Sequence, residues 1–404
     1  MKSYFKLIWL TVGAFAIGTE SYVVAGVLPT IAADLRVTVP LAGQLITVFA
    51  LTYAIGSPLI AVATGSMERR RLLLISIAVF GAFNLLAAVS HTYGALMIAR
   101  IGMGLSAGTF MPAASAYAVA TTTTAHRGRA LAMIYGGLTI AMIIGAPLGV
   151  LLGEHFGWRV IFSAVAGLVA LGAAGLALTL ARVKPAAHVT LAERIAIARR
   201  PDVLATLAVT VITLAGAYTV YSYLAPFLQQ TARLGGDAIA LVLFMFGLGS
   251  TAGNFLSGAT ADRIGPRRVI AGVLVGLVGI FTALSFVGTT LPADSARWIV
   301  VPLIALWGFV GFSFPAAQQA YIVTLAPRLA PITLSLNASA IYLGASLGAF
   351  LGSLVVARGA VAELGWVAAG CEVTALVVLQ WARRRRASVA PVPESRPVLL
   401  TEAA

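Results

Sequence analysis

The chain of 404 residues is 60% hydrophobic and 10% charged, with a mean hydropathy of +0.98. A soluble chain carries about a quarter of its residues charged, so this composition excludes a water-soluble fold and predicts an integral membrane protein. The lack of strand-like alternation predicts an all-α one. The net charge of +14, which in a soluble chain points to nucleic acid, falls here in short segments between apolar runs. There it predicts membrane orientation and no nucleic-acid partner.

A spanning helix needs about 20 mostly apolar residues. Twelve such runs occur, at 7–29, 42–64, 72–90, 94–118, 130–152, 160–181, 204–228, 238–261, 268–288, 297–325, 334–357 and 361–382. Lys2 and Lys6 before the first run imitate a secretory signal. The run is too long for one and holds Glu20, so an uncleaved first span is expected. Pro29 is expected to end this span, and Pro226 nearly to end the seventh.

Twelve spans put both termini on one side. Of 27 Lys and Arg, 21 fall on that side, including Arg69 to Arg71, Arg263, Arg267, Arg268 and Arg383 to Arg386. Arg36, Arg159, Arg233, Arg297 and Arg358 fall on the other, and Arg100 lies within a span. This asymmetry predicts cytoplasmic termini. The basic stretch 182–203 divides the spans six and six. The expected organisation is an N-terminal half at 1–181, a cytoplasmic linker at 182–203, a C-terminal half at 204–382 and a disordered cytoplasmic tail at 383–404, with Pro391, Pro393 and Pro397. Within the linker, Thr190 to Arg200 is expected to form a surface helix facing anionic lipid.

The halves look like distant copies. Pro29 and Pro226 are 197 residues apart, as are Arg70 and Arg267, while Gly145 and Gly344 are 199 apart. Between spans eight and nine, Gly258 to Arg268 reads G-A-T-A-D-R-I-G-P-R-R, an acid, three arginines and helix breakers at a membrane face. It resembles the G-x-x-x-D-R-x-G-x-R/K signature of major facilitator superfamily transporters. That resemblance implies twelve transmembrane helices in two pseudo-symmetric six-helix halves around a central cavity. It also implies that Asp262, Arg263 and Arg267 form a latch in one of two access states. The first-half counterpart, Ala61 to Arg71, keeps cations, including Arg70, but has Gly65 where the acid would fall.

Span four carries Arg100, Gly104 and Gly108. A charge inside a span costs from about 3 to above 10 kcal/mol, so Arg100 is expected to face a cavity or a partner, or else to snorkel to the interface. The spacing resembles the family's R-x-x-x-G-x-x-x-G, whose arginine is linked to proton transfer or charge balance. Span five carries Gly145-Ala146-Pro147-Leu148-Gly149, resembling a glycine-proline element of the family's antiporters that implies export. Glu20 is the candidate proton-coupling acid, with Arg100 beside it in that role and Glu372 as the competitor. In relatives the acid stands eight residues before the proline, which is Ser21 here; Glu20 lies about 100° around the helix from it. Tyr218, Tyr221, Asn254, Trp307, Gln318, Gln319, Tyr321, Asn337 and Tyr342 are the polar and aromatic candidates for substrate contact.

The strings Ala42 to Leu51, Thr213 to Tyr218, Tyr223 to Leu228, Pro315 to Tyr321 and Leu336 to Ala340 are similar to the twelve-span drug:proton antiporter family. Within it they resemble bacterial purine base and ribonucleoside efflux pumps. The implied function is export of a small organic solute in exchange for protons from a bacterial inner membrane. The alternatives are efflux of multiple drugs, chloramphenicol or sugar, a sugar:proton symporter, and a non-coupled facilitator or channel. Expected partners are a small-molecule substrate, protons and the lipid bilayer, with no cofactor, in a monomer. His91, His126, His155 and His188 are dispersed and Cys371 is the single cysteine, so neither a metal site nor an enzyme is expected.

Overall fold

A computed structural model of the chain describes residues 2–123, 126–183, 191–325 and 329–388, with the side chains of 2–6, 331 and 385–388 left aside. Twelve of the described helices are long and apolar enough to cross a membrane. In the N-terminal half, α1 (Lys2–Asp34), α2 (Val39–Ala63), α3 (Arg69–Ala88) and α4 (Tyr93–Thr121) are single spans. The fifth joins α5 (Arg127–Ile140) to α6 (Ala146–Phe156), and the sixth is α7 (Trp158–Thr179). A short linker helix, α8 (Leu191–Ala198), follows. The C-terminal half comprises α9 (Pro201–Tyr221), α10 (Leu224–Ala232), α11 (Gly236–Ile264), α12 (Pro266–Thr290), α13 (Ala293–Leu325), α14 (Ala330–Ala357) and α15 (Leu364–Ser388).

Prolines shape these spans differently from the sequence expectation. α1 runs through Pro29 to Asp34, because one missing N–H near a helix end removes a single backbone bond and leaves the rest of the ladder intact. The seventh span is not one helix over 204–228. It breaks at Ser222 and Tyr223, where Pro226 cannot bond the Ser222 carbonyl four residues back. In the fifth span, a π turn at Ala141–Gly145 precedes Pro147, and the Ala146 N–H reaches back five residues to the Ala141 carbonyl. The last helix passes residue 382 and continues to Ser388, so Arg383 and Arg384 sit on its final turns. The rest of the expected tail, 389–404, lies outside the described residues.

The linker helix exists, over Leu191–Ala198, and buries none of its residues. Thr190 lies outside the described residues. Arg194 donates from Nη1 to Ser335 Oγ at 2.9 Å, which ties the linker to α14, and partial burial there lowers its pKa.

Glycines build the two halves alike. Gly145, Gly149 and Gly153 set the fifth span against Thr19, Val23 and Val27 of α1. Gly344, Gly348 and Gly352, each 199 residues later, set α14 against Leu214, Ala215 and Thr219 of α9. Four-residue steps keep each trio on one face, where backbones approach closely. Cysteine Cys371 is free.

The halves meet through α2 with α14, α11 with α6 and the π turn, and α1 with α10. Among the described residues, α11 makes no extended contact with α5, nor α1 with α9. α5 opens the fifth span and α9 the seventh, each starting at the end of the bundle where the linker helix packs on α14, α9 and α2. The halves are therefore closed away from the linker and parted towards it.

Candidate translocation site

Along α2 and α14 the closure can be followed inward. Gln44 Nε2 donates to Ser353 Oγ at 2.9 Å. Further in, Ser346 Oγ donates to the Thr47 carbonyl at 3.0 Å. At the middle of both helices, the rings of Tyr53 and Tyr342 stack with centroids 3.5 Å apart and 16° between planes. Beside them, Tyr221 Oη donates to the Tyr22 carbonyl at 3.3 Å, and the two rings meet edge to face at 6.4 Å. Tyr22 and Tyr221 are 199 residues apart, the same offset as the glycine trios, so they are counterparts meeting between the halves.

Around this contact Tyr218, Phe246 and Trp307 pack on Tyr221 with centroids at 5.6, 5.6 and 6.4 Å, and Phe281 closes on Trp307 at 5.2 Å. Tyr342 lies within electrostatic reach of Tyr53, Tyr22 and Tyr218. Tyr135 of α5 lies within electrostatic reach of Tyr53 and is 50% exposed. Aromatic pairs in such geometry contribute about 0.5–1.5 kcal/mol each beyond area burial. The cage is thus held shut by a few modest contacts.

Of the expected substrate contacts, Tyr218, Tyr221, Trp307 and Tyr342 come together here. Gln318 and Asn337 do not join them. Gln318 Nε2 donates to the Thr206 carbonyl at 2.8 Å and to Thr210 Oγ1 at 2.9 Å. Thr210 Oγ1 donates to Asn337 Oδ1 at 2.7 Å. These bonds join α13, α9 and α14 within one half, because buried amides must find partners where no water reaches. Asn254 and Gln319 are exposed. Asn254 is seven residues after Gly247, whose face meets Met142 and Ile143 of the other half, so it points into the parted region. Tyr22, Tyr53 and Phe246 are cage members that sequence reading missed.

Glu20 and Arg100 form an ion pair, with side chains 0% and 1% exposed. Arg100 does not snorkel. Its Nε donates to the Leu45 carbonyl at 3.0 Å, and its guanidinium lies 4.3 Å from the Phe49 ring centroid. Among the described residues, no other group hydrogen-bonds the Glu20 carboxylate, and Ser21 Oγ is buried without a partner. The 100° offset thus turns Glu20 into the packed half, towards α4. Leu45, Phe49 and Tyr53 stand at four-residue steps on α2, so one helix carries both the Arg100 contacts and the central stack. Glu372, the competing acid, is fully buried and in no ion pair among the described residues. It neither pairs with a cation nor reaches a headgroup, but lies against Gly216 and Thr213 of α9.

At the linker face, Asp262 and Arg263 are exposed, and Asp262 joins no ion pair among the described residues. The latch expected of Asp262, Arg263 and Arg267 is not formed by an ion pair of Asp262 here. Arg267 instead donates from Nη2 to the Leu379 carbonyl of α15 at 3.1 Å. Its counterpart Arg70 donates from Nη2 to the Ala177 carbonyl of α7 at 2.6 Å. In each half this arginine fastens the start of the third span to the end of the sixth.

A family model described as the Major Facilitator Superfamily matches residues 10–349 and 207–402. The inner membrane transport protein YdhP of Escherichia coli (strain K12) is 31% identical over 393 residues, covering 96% of this chain and 99% of that one. The MFS-type transporter YbcL of Bacillus subtilis (strain 168) is 31% identical over 370 residues, covering 91% and 93%. A protein of Helicobacter pylori (strain G27) named "Probable sugar efflux transporter" is 28% identical over 371 residues, covering 92% and 93%. Among solved structures, a bacterial homologue of the human lysosomal transporter Spinster, inward-facing and occupied, superposes with a TM-score of 0.72 over 94% of this chain and 96% of that one, at 17% identity. With its twelve spans, its two alike halves and this family match, the chain belongs to the major facilitator superfamily, a family of transporters and not of enzymes.

Proposed function

We propose that this transporter exports a small, neutral, flat organic solute, a purine base or nucleoside, from a bacterial cell in exchange for protons. The observation that carries the reading is the Tyr53–Tyr342 stack, one ring from each half, within a cage of neutral phenols. A planar heterocycle inserted between these rings replaces the stack that holds the halves together, and the surrounding hydroxyls offer donors and acceptors to its edge. Binding and opening are then one event. The cage carries no formal charge, which favours an uncharged solute over an ionic one.

Coupling runs through Glu20. While ionised, it shares Arg100 with the Leu45 carbonyl and the Phe49 face; once protonated, it leaves those two as the guanidinium's remaining contacts. Both lie on the helix that carries Tyr53, so the protonation state biases the central stack. The positive-inside pattern supports an inner-membrane protein with cytoplasmic termini and linker, and the name of YdhP, an inner membrane transport protein, agrees with that membrane. The parted face is then the cytoplasmic one, from which an exporter loads.

Sugar efflux is the second reading, favoured by the name of the Helicobacter pylori relative and by the ability of aromatic faces to pack on sugar rings. A panel in proteoliposomes separates the two: a labelled purine base, a nucleoside, a pentose and chloramphenicol. Saturable transport of the base or nucleoside is expected. Tyr342→Leu should weaken its apparent affinity about tenfold, the factor that corresponds to about 1.4 kcal/mol. Transport of the pentose alone would overturn the purine reading in favour of the sugar.

A further inference from the structure

A cleft of about 620 Å³ opens at the linker face of the C-terminal half, apart from the central cage. Its walls come from the turn between α11 and α12, the end of α13 and the end of α15. They include Arg267, Arg268 and Arg383 together with Tyr321, Thr324 and Gln380, and among the described residues no carboxylate. Three arginines, an amide and two hydroxyl residues thus line the cleft around the start of α12, and the helix dipole there adds partial positive charge. Arginine forks match phosphate oxygens in pairs. Arg267 is engaged with the Leu379 carbonyl; Arg268 donates from Nη1 to the Ile264 carbonyl at 3.4 Å, and both Arg268 and Arg383 are exposed at the cleft.

On α15, the cleft is lined by Leu379, Gln380 and Arg383. Val373, Val377 and Trp381 are 48%, 62% and 47% exposed and stand at four-residue steps, an apolar stripe of the kind that faces acyl chains. It ends at Trp381, beside Gln380, and tryptophan anchors at headgroup level. This lipid-facing stripe lies about a third of a turn around α15 from the cleft-lining Leu379, Gln380 and Arg383, so a headgroup in the cleft would sit beside acyl chains on the neighbouring face. Basic pockets between spans at this face suit anionic headgroups.

We infer that this cleft is a binding site for a phosphate-bearing anion, and that its occupant is the headgroup of an anionic phospholipid. Bound there, the phosphate bridges the start of α12 to the ends of α13 and α15. It also supplies counter-charge beside the latch turn while Asp262 is unpaired. The inference is independent of the solute carried.

Native mass spectrometry of the purified full-length protein tests it, with phosphatidylglycerol and phosphatidylcholine offered at equal concentration. The wild type should retain phosphatidylglycerol at least about threefold better. Arg268→Gln with Arg383→Gln should abolish that preference, and Arg268→Lys with Arg383→Lys should largely keep it. Equal retention of the two lipids by the wild type overturns the inference, as does an undiminished preference in the folded glutamine variant. Should that variant not fold, the wild-type preference and a competition with glycerol phosphate and inorganic phosphate still decide. Displacement of phosphatidylglycerol by either at low millimolar concentration assigns the site to a soluble anion and overturns the lipid occupant. Resistance to both supports it.

Discussion

Glu20 and Arg100 each meet a requirement that neither satisfies alone. A lone charge at this depth is strongly unfavourable, and the pair is tolerable because each supplies the other's counter-charge while the Leu45 carbonyl and Phe49 ring take up the remaining guanidinium surface. Removing one partner strands the other, which costs about 3–5 kcal/mol, whereas removing both costs far less. Arg100→Ala is therefore expected to lower the unfolding temperature of the purified protein sharply, and adding Glu20→Ala should restore most of the loss. Strictly additive effects of the two substitutions would contradict a direct pair. Both residues stood out in the sequence as charges inside apolar runs. Their pairing did not, because the contact joins spans 80 residues apart and depends on which way each helix is turned.

At the scale of elements, the device that recurs is a glycine face laid on a neighbouring span. A side chain added at Gly348 meets Thr219 N and Tyr218 Cβ at 2.9 Å, whereas one at Gly136 meets nothing within 4 Å. Overpacking a fitted interface costs about 1–3 kcal/mol. Gly348→Leu should thus lower the thermal stability and yield of folded protein, and Gly136→Ala should leave both nearly unchanged. Similar losses at the two positions would contradict packing as the source of the cost, since replacing glycine improves helix propensity at both. The glycine repeat was legible because a fixed offset survives divergence. The proline effects were less so: Pro29 and Pro226 share an offset, yet α1 runs through one while the seventh span breaks before the other. A proline removes a bond and adds a clash, and the surrounding packing decides whether the helix absorbs this or breaks. Gln318 and Asn337 show the same limit, since a polar residue within a span reads alike whether it lines a cavity or fastens two helices.

For the whole molecule, twelve spans and two halves followed from run length and charge asymmetry, which require no knowledge of contacts. Which face is closed did not follow, because one sequence encodes both access states. The structure is the state parted at the linker face, with Gln44 and Ser353 touching across the far face. Gln44→Cys with Ser353→Cys, in a Cys371→Ala background, should form an oxidative cross-link that arrests transport and is reversed by reductant. A cross-link that leaves transport intact would mean that the halves need not separate there.

Gradient-driven transport through Glu20 is the central claim, and one flux assay addresses it most directly. Proteoliposomes with an imposed pH gradient are loaded with the solute identified by the panel, and its movement is followed against its own concentration gradient in the wild type and in Glu20→Gln. The account predicts uphill movement opposite to the proton flow in the wild type, lost when the gradient is collapsed. In Glu20→Gln it predicts only downhill exchange, indifferent to pH. Undiminished gradient-driven accumulation by Glu20→Gln would contradict it and move the coupling site elsewhere.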